Sequence, residues 1–401
     1  MQDQKEFFHF VETLHAENNK HNQVIGSGVY LYSFKFNPNI SQEFYEGYLY
    51  FERDGQKVQN VAFVKVVGEH ADVKAIEVFH RTRTAIDDVV LRPWTYLFSQ
   101  QKDFSELPHD TELRKGIWSL CYDRFEHNLK DWTKLAKPKP KGIAYNDKLK
   151  LPIKTCDGRL NDFWRDSISE LISGVGRIHS KGLYHGKLRL RSNYVFINEC
   201  MKIINVEGSL DELKSDDERC TEKKKDIFDI FWMLDQVFQS LGENKNNWLE
   251  CRHFFEFVKD SRTLKLRYDD FIKKVAGHPF LLSADKRINL FDDYECKRTD
   301  ETTGEDIKLV LGSSEFDTFK SWNNAFLAST GTSTNVDNFM LGVYNHGKYS
   351  GDVEDLLRYL RNLKHHYHQH GLAAGSMVDV DRGLSKHFGG FLELLYKKLE
   401  V

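Results

Sequence analysis

The stretch YLYFERDGQKVQNVAFVKVV, residues 48–67, leaves the chain little conformational choice. Two apolar runs are joined through Asp54-Gly55, a strong hairpin signal, because such a pair accepts the positive φ angles of a tight turn between strands. Lys65 sits inside the second run. The stretch DVKAIEVFHRT that follows reads as a short helix carrying Glu77. LAKPKPKG, from Leu135 to Gly142, is too rich in proline to be regular and is expected to be an exposed loop. In FWRDSISELISGVGRIHS the apolar residues Trp164, Ile168, Leu171, Ile172 and Val175 recur at the helical period. That helix leads into LYHGKLRLRSNYVFI and MKIINVEGS. Farther on, Asp226 opens DIFDIFWMLDQVF, where Ile227, Phe231, Leu234 and Phe238 make a second helical stripe.

A chain of 401 residues with 40% apolar content can bury substantial cores, and two domains are expected. The formal charge of −3 argues against coating nucleic acid through bulk charge, so any phosphate recognition has to be local. Cys121, Cys156, Cys200, Cys220, Cys251 and Cys296 are scattered without a C-x-x-C pair, which suits free thiols in a reducing compartment. The start, MQDQKEFFHF, lacks the basic and apolar regions of a signal peptide, and no stretch approaches about 20 uninterrupted apolar residues. The expectation is a cytoplasmic protein with no membrane segment.

A small sheet with a lysine strand, a glutamate helix, a long helix, a histidine loop and two short strands follow one another in the order of a protein kinase. IGSGVY (Ile25 to Tyr30) stands at the glycine-rich loop, with Leu31 where a third glycine would help the backbone approach phosphate. Lys65 and Glu77 fit the ion pair that positions nucleotide phosphates. YHGKLRLRSN fits the catalytic loop, but Lys187 replaces the catalytic aspartate, and Ser192 or Asn193 stands at the metal-binding asparagine. NVEG (Asn205 to Gly208) fits the D-F-G strand end, with Val206 at the magnesium-binding aspartate. Phosphoryl transfer needs both carboxylates. The resemblance therefore implies a pseudokinase with a vestigial nucleotide pocket at Lys65 and Glu77. Those two residues are either a surviving nucleotide contact or a residual structural pair; whether ATP or ADP binds stays open, and magnesium is not expected. The segment from Gly208 to Asp226 is short and has no A-P-E.

RYLRNLKHHYHQH, residues 358–370, concentrates three basic side chains and four histidines with no carboxylate. Asp352 is a candidate N-cap, and Val353, Leu356, Leu357, Leu360, Leu363 and Tyr367 make one apolar face. Asn362 and His366, four residues apart, stack one turn from each other, with Arg361 beside Asn362. A cation, an amide and an imidazole thus share a groove.

GHPFLLSADKRINLF (Gly277 to Phe291), FDTFKSW and YSGDVEDLLRYLRNLKHHY (Tyr349 to Tyr367) together resemble the kinase-extension nuclease family, the group of ribonuclease L and the inositol-requiring kinase/ribonuclease of the unfolded-protein response. The last phrase is similar to the family's Y-x-x-x-V-x-D-L-L-R-x-x-R-N-x-x-x-H. It is one residue shorter between Tyr349 and Val353 than in part of the family. The resemblance implies an α+β chain: a bilobal kinase-like domain over residues 1–276 and an all-α nuclease domain over 277–401. It also implies metal-independent cleavage of RNA by 2′-OH attack, leaving a 2′,3′-cyclic phosphate, in a homodimer or higher assembly. The chain carries no ankyrin repeats of the kind that read 2′,5′-oligoadenylate.

Such cleavage needs a base for the 2′-OH, an acid for the 5′-oxygen and a charge to stabilise the phosphoryl oxygens. Histidine suits proton transfer near pH 7, and arginine offers a fixed planar donor set. By resemblance His366 is the general acid, Tyr349 the partner base or hydroxyl donor, and Arg361 and Asn362 hold the phosphate. Trp322, His365 and Arg358 are further RNA-binding candidates, and Asp355 is expected to be structural. Blander readings exist for each. A His/Arg-rich helix face is commonly just solvated, and a tryptophan such as Trp322 is as often core. His366 and His370 have the spacing of zinc ligands, but no nearby carboxylate or cysteine completes a set. The rival from another class is a non-catalytic pseudokinase scaffold that dimerises with or regulates a related nuclease.

Overall fold

The computed structural model describes residues 23–24, 31–35, 44–51, 57–99, 117–137, 151–155, 158–263, 266–329, 334–370 and 375–400. The fold is α+β. It divides into two compact units, one of residues 1–151 and 170–242, the other of residues 152–169 and 243–401. The expected boundary at 276/277 falls inside the second unit.

The first unit holds a six-stranded antiparallel sheet in the order β1 (Gln23–Val24), β2 (Leu31–Lys35), β3 (Phe44–Phe51), β4 (Lys57–Val66), β6 (Ile117–Asp123), β5 (Thr95–Ser99). The hairpin register runs from Phe51 opposite Lys57 to Phe44 opposite Val64. The Asp54-Gly55 turn, the loop from Ile25 to Tyr30 and residues 138–142 of the proline/lysine stretch lie outside the described residues. Helix α1 (Ala71–Thr84) buries Ala75, Val78 and Phe79, and Val78 and Phe79 join the sheet residues Ala62, Val64, Leu120 and Tyr122 in one core. A short helix α2 (Leu129–Ala136) follows, capped by Asn128, whose side chain accepts from Asp131 N. The long helix α3 (Asp162–Ser180) buries all five residues of its sequence stripe at 0–1% exposure.

Small strand pairs follow: β7 (Leu183–Tyr184) with β10 (Gly208–Ser209), and β8 (Tyr194–Ile197) with β9 (Cys200–Ile203). Helix α4 runs from Asp216 to Ser240, so it begins ten residues before Asp226, where sequence periodicity places its start. The added turns carry no apolar stripe and hold by local polar chemistry. Ser215 caps Glu218 N, three acidic residues sit at the positive end of the helix dipole, and Arg219–Asp216 and Lys225–Glu222 pair at i, i+3. Asp226 is buried, and its carboxylate accepts from the amides of His185 and Gly186 at 2.6 and 2.8 Å, with His179 Nε2 at 3.0 Å. One carboxylate thus ties the histidine loop to α3 and α4.

The second unit is built mainly of helices: α5 (Leu249–Thr263), α6 (Tyr268–Ala276), α7 (Ala284–Thr299), α8 (Gly304–Leu311), α9 (Trp322–Ser329), α10 (Asn335–His346), α11 (Val353–His370), α12 (Met377–Phe388) and α13 (Phe391–Glu400). Among the described residues no helix is long and apolar enough to cross a membrane. Beneath the helices lies a buried charge cluster. Arg287 meets Glu250, Asp381 and Glu393 at 3.6, 3.3 and 2.6 Å and donates to Pro279 O, while Arg159 pairs with Asp381.

Candidate active site in the helical unit

Helix α11 is amphipathic as its sequence requires. Val353, Leu356, Leu357, Leu360 and Leu363 are at most 4% exposed, and Tyr359, outside the sequence stripe, is fully buried, with its hydroxyl donating to Met340 O. Asp352 caps the helix, its Oδ1 accepting from Asp355 N at 2.7 Å. The opposite face carries the candidate residues.

Tyr349 stands in the turn before that helix. An added Cβ on Gly347 would lie 2.2 Å from the Tyr349 ring, so only glycine lets the ring lie against that backbone. Tyr344 stacks on it at 5.8 Å, Tyr359 and Trp322 meet it edge-on at 5.3 and 6.0 Å, and the Arg358 guanidinium lies 5.1 Å over its face. The ring is therefore fixed, and its hydroxyl accepts from Asn362 Nδ2 at 3.0 Å. Asn362 Oδ1 in turn accepts from Arg361 Nη1 at 3.0 Å, so the two bonds orient the amide.

Tyr349, Asn362 and His366 line one cavity of about 800 Å³. His366 is half-buried and has no hydrogen-bond partner among the described residues, which leaves both ring nitrogens to a ligand. Arg361 does not line the cavity and reaches it through Asn362, with its Nε 3.4 Å from Asp292. Of the further RNA-binding candidates, Arg358 is engaged by the Tyr349 ring, by Asp355 at 2.9 Å and by Lys348 O. His365 lies on another side of the helix, 3.0 Å from Asp292. Trp322 is core: it is 3% exposed, stacked on Tyr359 at 5.0 Å, and its indole donates to Asp352 O. Its ring supports the site from behind, because a side chain this apolar gains more from the aromatic cluster than from water.

Two contributors were not singled out from sequence. Asp292 on α7 gathers Lys364, Arg361 and His365. The hydrogen bond from Lys364, aided by that of His365, holds its carboxyl down at about 2, so it is an anion throughout the neutral range. No local signal marks it, since it lies more than 60 residues from its partners. His346, the last residue of α10, is exposed and lines the same cavity as His366. The NVDNFMLGVYNH pattern behind a Thr334/Asp337 capping box could have revealed the helix, but not which cavity it borders.

The first unit has its own cavity of about 630 Å³, lined by Lys65, Lys74, Lys187, Asn193, Asn205 and Glu207 among others. Glu77 is not on it and pairs with Arg81 at 3.4 Å. Lys187 is 2.6 Å from Glu207, and Asn193 donates to Lys187 O. Val206 is buried, with its amide donating to Thr82 Oγ1. Lys187 and Val206, the two positions at which the sequence resemblance places the kinase carboxylates, thus carry no carboxylate. Among the described residues no group of three or more His, Cys, Asp or Glu could hold a metal ion. No family model and no curated protein matches the chain.

Proposed function

We propose that this chain is a metal-independent endoribonuclease whose helical unit carries the chemistry and whose sheet-containing unit is a pseudokinase. One observation carries the reading: Tyr349, Asn362 and His366, chosen by a sequence phrase, line one cavity, and His366 is unengaged there. Asn362, oriented from both sides, presents a fixed dipole beside the space a phosphate would enter, and Arg361 adds positive charge at its edge. His366 protonates the leaving 5′-oxygen. Tyr349, its hydroxyl already accepting from Asn362, has its own proton to donate to a phosphoryl oxygen, which favours hydroxyl donor over base. His346 is then the available proton acceptor for the 2′-OH.

Support for the pseudokinase comes from the sheet order, the lysine on β4, the asparagine and lysine of the histidine loop, and Val206 in place of a metal ligand. Self-association of two or more copies in the cytoplasm belongs to the same proposal. The test is incubation of purified protein with end-labelled RNA in EDTA at several protein concentrations. Cutting that persists, rises more than linearly with protein and leaves 2′,3′-cyclic phosphate ends is expected. Loss of cutting on chelation, or 5′-phosphate ends, would sink the reading.

A further inference from the structure

Among the described residues the cavity of the first unit is walled by six cationic side chains, Lys65, Lys74, Lys130, Lys187, Arg189 and Arg191, and by one carboxylate, Glu207, in a chain whose formal charge is −3. That carboxylate is shared: Lys187 Nζ lies 2.6 Å from one of its oxygens and Lys74 Nζ 3.8 Å from the other. We propose that this cavity binds a polyphosphate directly on its ammonium groups, with no divalent cation between, so that Lys187 and Lys74 supply the positive charge that a kinase takes from magnesium. The inference goes beyond the ribonuclease reading and concerns a separate cavity in the other unit.

Three observations separate this site from a pocket for a nucleotide with magnesium. The oxygens that could hold the ion are engaged: both oxygens of Glu207 face ammoniums, Asn193 Oδ1 accepts from Asn205 Nδ2 at 3.2 Å, and Val206 is apolar. The glycine-rich phrase is one strand out of place. Residues 25–30 join β1 to β2, whereas β4, the lysine strand, has β3 as its neighbour, and residues 36–43, which join β2 to β3, read FNPNISQE, with no glycine to let backbone amides approach phosphate. The charge sits on side chains instead, and it is in excess. One carboxylate against two ammoniums leaves positive charge beside Lys187, and burial, partly offset by Glu207 and aided by Lys187, holds the Lys74 ammonium below its usual range. A phosphate placed there relieves that crowding, since attraction between opposite charges grows in a partly desolvated pocket. The Trp232 ring, 4.4 Å from the Arg189 guanidinium, holds a further cation on the cavity wall. The recognised chemistry is the phosphate chain, whether free or carried by a nucleoside, and the apolar side chains of Phe44, Val64, Val78 and Leu120 on the same cavity are where a nucleoside would go.

The experiment is isothermal titration calorimetry of the whole chain with inorganic tripolyphosphate and with ATP, each in EDTA and with magnesium. Tripolyphosphate is expected to bind in EDTA, and magnesium to weaken it about tenfold or more, because chelation cancels charge that the lysines attract. ATP that binds more tightly than tripolyphosphate in EDTA assigns the phosphate chain to a nucleotide, and ATP that binds equally or less tightly assigns it to a free polyphosphate. Lys187→Gln should weaken tripolyphosphate about tenfold or more, the scale of a hydrogen bond to a charged group, while Lys187→Arg should stay within about threefold of the wild type. Glu207→Gln should act in the other direction and tighten binding, since the internal anion that competes for the two ammoniums is gone. If Glu207→Gln fails to fold, the two Lys187 variants decide, that side chain being 42% exposed. Lys214→Gln, exposed and off the cavity, should change nothing. No binding of tripolyphosphate in EDTA, binding that magnesium strengthens, equal affinity in the wild type and Lys187→Gln, or weaker binding by a folded Glu207→Gln overturns the site, and none of these results bears on the ribonuclease reading.

Discussion

Replacing Arg287 by methionine tests the packing of the helical unit most severely. The side chain is 6% exposed and faces three carboxylates, Glu250, Asp381 and Glu393, with Arg159 as the second cation paired into the cluster among the described residues. Methionine keeps most of the volume and removes the charge, so three carboxylates are left with one guanidinium. Removing one partner of a buried ion pair costs about 3–5 kcal/mol, because the remaining charge stays desolvated. Out of a total stability of about 5–15 kcal/mol for a domain, that is a fifth or more. Burial, partly offset by Arg287 and Arg159, already lifts the Asp381 carboxyl above its usual range. The folded state then holds a proton the unfolded chain releases, so this group lowers stability as pH rises from about 4 through the folded-state value. Without Arg287 the lift grows, and the deficit should be full at neutral pH and smallest in acid. The assay is urea unfolding at pH 5 and pH 7.5, read by hydrogen exchange of peptides from α13, so that the two units are not averaged into one transition. The double variant Arg287→Met/Glu393→Gln should recover part of the loss. A cost below about 1 kcal/mol, or one that does not shrink in acid, would refute the assignment of a charge cluster as the keystone of this unit.

In single-turnover cleavage at saturating protein, His366→Ala should lose about 10²-fold or more, the scale of a positioned acid or base. His365→Ala should lose far less, since its ring is turned to Asp292, and equal rates for the wild type and His366→Ala would remove the catalytic assignment. Arg361→Lys should also be damaging in that assay, because an ammonium cannot hold Asp292 and the Asn362 amide with one planar group. Gly347→Ala, at a φ of −96° that any residue adopts, should push the Tyr349 ring aside and cut the cleavage rate about tenfold or more with an unchanged circular dichroism spectrum; an unaltered rate refutes the role of the ring position. Asp292→Asn should release Lys364, Arg361 and His365 and lower cleavage. Because the carboxyl is held at about 2, its contribution to stability is present above about 4 and is lost as pH falls from there through 2, so a wild-type melting temperature that drops between pH 6 and 5 with Asp292→Asn abolishing that drop would contradict the pairing.

Much of the local structure was legible because it depends on neighbours in sequence. The α3 stripe, the β3–β4 hairpin, the Asp352 cap and the buried face of α11 all follow from periodicities of two or 3.6 residues and from one capping side chain. The phrase from Tyr349 to His366 also brought three of its residues to one cavity, since Asn362 and His366 share a helix face and Tyr349 precedes that helix by only a few residues. The early start of α4 was not legible, because its first turns carry no apolar pattern and rest on a cap and ion pairs. Trp322 and His365 show where sequence stops. An exposed and a buried tryptophan have the same local neighbourhood, and only the aromatic cluster of α9, α10 and α11 decides that Trp322 is a support rather than a contact. Likewise Asp292 and His346 enter through contacts between helices distant in sequence, and such pairings are fixed by how side chains interlock in the core, which no window of neighbouring residues contains.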